Sequence, residues 1–221
     1  MNEYEPLDGA LTTEPETERF PWPPAEQESV LTAFADSWRG AALEPARFFR
    51  SMPERAPVGP ALLYYLPLGI AVAGATMFWS LVGLNISALS RVAGIEATSD
   101  AMSPVIDFLM SPLILLVSLF VSAGVTHLML LMFGAGKNGF GTTGRVFAFA
   151  YSPQILAVIP WVGQAVGMVW MVVIAIIGLR EAHRTSTGRA VAAVLIPFLV
   201  AVLFIVASMF ILAASSLLLP Q

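Results

Sequence analysis

The sequence predicts an all-α integral membrane protein. It reads as a five-transmembrane-helix bundle with an N-terminal amphipathic interfacial helix and a disordered acidic N-terminal tail. Three observations predict this. Hydrophobic residues make up 57% of the chain and charged residues 12%, too few to clothe a soluble domain in polar surface. The apolar residues fall in uncharged runs longer than a buried core helix needs. The basic residues gather in alternate connections between those runs, as they do when a chain weaves through a membrane.

Residues 1–28 come first. Eight acids (Glu3, Glu5, Asp8, Glu14, Glu16, Glu18, Glu26, Glu28) stand against Arg19, with Pro21, Pro23 and Pro24 crowded behind. Such a stretch buries too little apolar area to offset its ordering entropy, so disorder is expected, either as a docking tail or as a solvated leader. The opening MNEYEPLDGA is acidic rather than basic-then-apolar, so no secretory signal is expected.

Residues 29–55 follow as amphipathic juxtamembrane helices. Val30, Leu31, Phe34, Trp38, Ala41 and Ala42 recur at helical spacing. Pro45 suits the first position of a second short helix, where its missing N–H is not needed. That helix sets Phe48, Phe49 and Met52 beside Arg47 and Arg50, the pattern of a helix lying in the membrane interface. A small helix packed on the ends of the spans is the competing reading.

The membrane domain, residues 56–221, holds five apolar segments at about 61–89, 106–133, 145–159, 161–179 and 190–219. Arg39, Arg47, Arg50, Arg55, Lys137, Arg145, Arg180, Arg184, Arg189 and distant Arg19 fall on one side, and only Arg91 on the other. That assigns the N-terminus to the cytoplasm and the C-terminus to the outside of the cell (inner, cytoplasmic) membrane. The third segment is short for a core about 30 Å thick. A full hairpin over 145–179 with Arg145 snorkelling is preferred, and a re-entrant hairpin gives the same charge pattern.

In the first span Gly69, Ala73, Thr76, Ser80, Gly83, Ser87 and Ser90 form one seam of small residues, and Gly163 and Gly167 form a G-x-x-x-G in the fourth. Close backbone approach at such seams drives helix packing in lipid, so they are read as packing surfaces, not as a polar pathway. His127 is the ionisable group deep in a span. No carboxylate lies at its depth, so a hydrogen bond across helices is preferred to a proton relay. Enzyme signatures are missing: the two histidines are far apart in sequence, there is no cysteine, no H-E-x-x-H and no carboxylate pair within the spans. No catalytic residue, cofactor, metal or nucleic-acid partner is expected. The expected partners are the lipid bilayer and membrane proteins, or a second copy of the chain.

The stretch FAYSPQILAVIPWVGQ, 149–164, breaks a greasy helix with prolines and glutamines. Pro153 removes a helix hydrogen bond, and Tyr151, Ser152, Gln154 or Gln164 can answer the freed backbone groups. Pro160 and Gly163 make a tight reversal, with Trp161 at headgroup level. In order come Tyr151, Pro153, Ile159-Pro160, Gly163, Trp170, Gly178-Leu179-Arg180-Glu181, His183, Arg189 and Pro197, preceded by Pro45-Ala46-Arg47-Phe48-Phe49. This series resembles the Yip family (Ypt/Rab-interacting membrane proteins) in its prokaryotic-type branch, over about residues 30–221. The resemblance implies five spans, a cytosolic N-terminus, a buried hairpin and an adaptor role. The tail lacks the family's acidic-tyrosine-glycine-proline docking motif, so no GTPase partner is implied. A non-enzymatic scaffold or adaptor is the expected function. A small-molecule or ion transporter or permeability factor using the Pro-broken hairpin is the alternative.

Overall fold

A computed structural model describes residues 19–54, 56–83 and 102–218, and every regular element among them is a helix. Residues 1–18, Arg55, Ser87, Ser90, Arg91 and the last three positions lie outside the described residues. The helices are α1 (Val30–Leu43), α2 (Pro45–Arg50), α3 (Gly59–Leu81), α4 (Ser103–Met132) and α5 (Gly139–Ala150), then a 3-10 segment (Ser152–Val158), α6 (Val162–Ala182) and α7 (Thr187–Leu218). Four of them, α3, α4, α6 and Thr187–Met209 of α7, are long and apolar enough to cross a membrane. At 12 residues, α5 by itself is too short, as are α1 and α2. α5 rises about 18 Å, and the 3-10 segment adds about 14 Å.

The core lies toward the end of the bundle where the basic residues gather. Aromatic rings build much of it. Phe20 packs on Phe48 with centroids 4.7 Å apart, Phe48 on Phe149 at 5.1 Å, Phe149 on Tyr64 at 4.9 Å and Tyr64 on Phe34 at 4.8 Å. Trp22 is buried and donates its indole N–H to the Pro60 carbonyl. Within the stretch 19–28, Phe20 and Trp22 therefore pack on the bundle, and these two aromatic side chains supply apolar area that the acidic stretch before them lacks.

Pro45 does begin α2. Phe48, Phe49 and Met52 are buried against protein, as in the packed reading of this helix. The indole of Trp38 donates to the Ser152 carbonyl at 2.9 Å, and that of Trp170 donates to the Ala42 carbonyl at 2.8 Å. α1 is thus fastened to both legs of the hairpin. α2 can lie on α6 because Gly178 has no side chain: a Cβ there would stand 2.9 Å from Phe49 and 2.7 Å from Val146.

The helix that carries the third apolar segment starts ahead of residue 145, since α5 begins at Gly139. Arg145 is held by protein carbonyls. It is 4% exposed, and its guanidinium donates to the carbonyls of Pro53 at 2.6 Å and Glu54 at 3.1 Å. Those carbonyls belong to the turn between α2 and α3, where no intrahelical N–H answers them, so a buried cation is their partner.

Candidate functional site

The hairpin determines the site. Between its legs the chain makes a γ-turn at Trp161, with φ 62 and ψ −66 and the Val162 N–H donating to the Pro160 carbonyl at 2.7 Å. Gly163 permits the reversal, because a Cβ there would sit 1.8 Å from the Leu156 carbonyl oxygen. One turn on, a Cβ at Gly167 would lie 2.9 Å from the Pro153 oxygen. The G-x-x-x-G is a packing surface, and the partner it packs on is the other leg of its own hairpin.

Pro153 stops α5 and starts the 3-10 segment. Gln154 and Gln164 do not answer the carbonyls freed there. Ser152 Oγ donates to the Phe149 carbonyl at 2.6 Å, so Tyr64 must be the donor in its 2.6 Å contact with Ser152 Oγ. Trp38 takes the Ser152 carbonyl, and Trp79 donates to the Val158 carbonyl at 2.8 Å. Tryptophans from two other helices, far off in sequence, complete the break.

Gln154, Gln164 and Tyr151 instead line a cavity of about 350 Å³ between the hairpin, α3 and α4. Its α3 wall is the small-residue seam, Gly69, Ala73, Thr76 and Ser80. Gly69 packs tightly, since a Cβ there would meet Leu115 of α4 at 2.6 Å. Ala73, Thr76 and Ser80 border the cavity, while Ser87 and Ser90 lie outside the described residues. Gly83 is not part of it: with φ 82 it ends α3 in the left-handed region. The α4 wall adds Ser111 and Asp107, a charged group where no charged lining was expected. Asp107 makes no hydrogen bond or ion pair with the described residues. Thr76 and Ser111 already donate to carbonyls of their own helices, at 3.0 Å and 2.7 Å. They offer the cavity acceptor lone pairs, as Asp107 does. The amide nitrogen of Gln154 lies 3.6 Å from Met171 Sδ, a weak acceptor. This wall suits binding; it holds no nucleophile paired with a base.

His127 is elsewhere, at the basic end. Its Nδ1 lies 2.9 Å from Thr143 Oγ1, which lies 2.9 Å from His183 Nε2. The histidines, far apart in sequence, are brought to 6.0 Å between ring centroids. The Asn138 backbone N–H points at His183 Nδ1 over a long 3.4 Å. A backbone N–H can only donate, so Nδ1 accepts and the proton of neutral His183 sits on Nε2. His183 then donates to Thr143, and Thr143 donates to His127. His183 lies just past the end of α6, fully buried. Burial, then His127 and Arg145, push it from 6.5 down to about 4. Among the described residues no group of three or more His, Cys, Asp or Glu could hold a metal ion. Thr143 and His183 had no signal in hydropathy, because their partners come from other helices.

The family model described as the Yip1 domain matches residues 39–209 of the chain. No curated protein and no solved structure matches the chain.

Proposed function

This chain belongs to the Yip1-domain family, and on that premise we propose that it is a non-enzymatic scaffold or adaptor of the membrane that holds another membrane component in the cavity beside its hairpin. One observation carries the reading. The cavity ends at a packed floor, where Tyr65 donates its hydroxyl to the Leu115 carbonyl at 3.1 Å and stacks edge-on with Tyr151 at 4.9 Å. Leu119 and Phe149 are buried on the basic side of that floor. A cavity that ends inside the bundle suits the holding of a bound component.

The proposal includes five crossings, the fifth being α5 with its 3-10 segment, together about 32 Å long. Trp79 supports it, since it ties Val158 near the hairpin tip to the far end of α3. It also includes a cytoplasmic N-terminus, an outward C-terminus and the cytoplasmic membrane as location, supported by the basic residues at one end of the bundle. The prokaryotic-type branch is part of the same reading.

A photo-crosslinking residue at Thr76, in native membranes, tests it. The expected result is a defined adduct that is lost when Ala73→Phe fills the cavity. An adduct pattern identical to that from Leu63, which is 68% exposed on the opposite face of α3, would sink the scaffold reading.

A further inference from the structure

A second pocket, of about 480 Å³, lies where α2 and α6 end side by side, lined by Arg50, Arg180, Glu181, Arg184 and Thr185. Three arginines share it with one carboxylate. Glu181 sits between two of them: Oε2 accepts from Arg50 Nε at 3.2 Å, and Oε1 accepts from Arg180 Nε at 3.0 Å. Arg184 reaches Glu54 through Nη2. Arg50 and Arg184 each engage a carboxylate through one nitrogen, and their other guanidinium N–H groups meet no acceptor among the described residues. Thr185 Oγ1 is shielded from water and has no hydrogen-bond partner.

The backbone adds an independent sign. Thr185 N donates to the Arg180 carbonyl at 3.0 Å and Arg184 N to the Glu181 carbonyl at 3.2 Å, which closes α6 in the manner of a Schellman motif. The residue that this motif turns left-handed is usually glycine. Here it is Arg184, with φ 49. A side chain is kept at a position that glycine fills with less strain, and that side chain lines the pocket.

We propose that this pocket binds the phosphate group of an anionic membrane lipid. Guanidinium N–H groups in a fork match phosphate oxygens, and three arginines against Glu181 and Glu54 leave the pocket net positive, which suits an anionic phosphate group. The pocket begins where the apolar stretch of α6 ends, at the depth where headgroups lie. The orphaned Thr185 hydroxyl gains an acceptor when the phosphate is seated.

The test uses the full chain purified in detergent, with thermal unfolding as readout. The probes are short-chain phosphatidate, short-chain phosphatidylcholine and inorganic phosphate. Phosphatidate is expected to raise Tm saturably, and the other two at equal concentration are not. Arg50→Gln with Arg184→Gln should weaken the phosphatidate response by about tenfold or more, while Arg39→Gln, an exposed arginine away from the pocket, leaves it intact. Arg184→Gly separates fold from binding: it should raise the lipid-free Tm and blunt the response. Equal response to inorganic phosphate overturns the lipid as source. No response to phosphatidate, or one that survives both the double variant and Arg184→Gly, overturns the site.

Discussion

The two ends of this bundle are built on different principles. At the basic end helices are fastened to one another by buried rings and by hydrogen bonds, with Arg145, Trp38, Tyr64 and Asn138 as donors. At the far end α3, α4 and the hairpin tip enclose a cavity, and the described side chains of α7 between Phe198 and Ile211 are mostly exposed. In lipid no hydrophobic force pulls apolar helices together, so only polar bonds and close packing can fasten them. The basic end holds those devices, and the far end keeps a surface for something else. Rigidity at one end lets the other stay open without losing its shape.

The largest test of this contrast is Gly163→Ala. The new methyl group collides with backbone, so the hairpin must open; the expected loss is about 4 kcal/mol of stability or failure to fold, read by denaturant unfolding in micelles. Ser152→Ala comes next. It removes the donor to the Phe149 carbonyl and the acceptor of the Tyr64 hydroxyl, for about 2 kcal/mol. Tyr64→Phe in the same chain should recover part of that loss in a double-mutant cycle.

The third prediction concerns pH. His183 has a folded-state pKa depressed from 6.5 to about 4, so between these values the unfolded chain binds more protons. Its contribution is fully present above about 6.5 and is lost as pH falls toward 4. Tm measured from pH 7.5 downward should decline through that window, and His183→Gln should flatten the decline. The smallest effect is expected at the open end: Thr76→Val should change stability by less than about 0.5 kcal/mol. A large loss there would mean that the cavity wall is part of the packed structure after all.

Much of the fold was legible in the sequence because it is local. Pro45 starts a helix, Pro160 and Gly163 reverse the chain, and hydropathy marks the long helices, all within a few residues of the signal. The candidate site was legible in part. Tyr151, Gln154 and Gln164 do face one space, and the α3 seam does lie along one face. What periodicity cannot show is which element covers a face. The same spacing of small residues serves a tight contact at Gly69 and a cavity wall at Thr76. Likewise, a buried arginine and a pair of histidines find their partners through contacts across the fold, as in the 114 residues separating Trp38 from Ser152.

Most directly, the central claim is tested by accessibility. The chain has no cysteine, so single-cysteine variants give a clean background. Cysteine placed at Thr76, Ser80, Trp161 or Lys137 would be probed with a membrane-impermeant maleimide from each side of sealed vesicles. The account expects Trp161→Cys, Thr76→Cys and Ser80→Cys to label from one side only, and Lys137→Cys from the other. Labelling of Thr76→Cys from the Lys137 side would mean a route past Tyr65 and Phe149, and would contradict a cavity closed at the basic end.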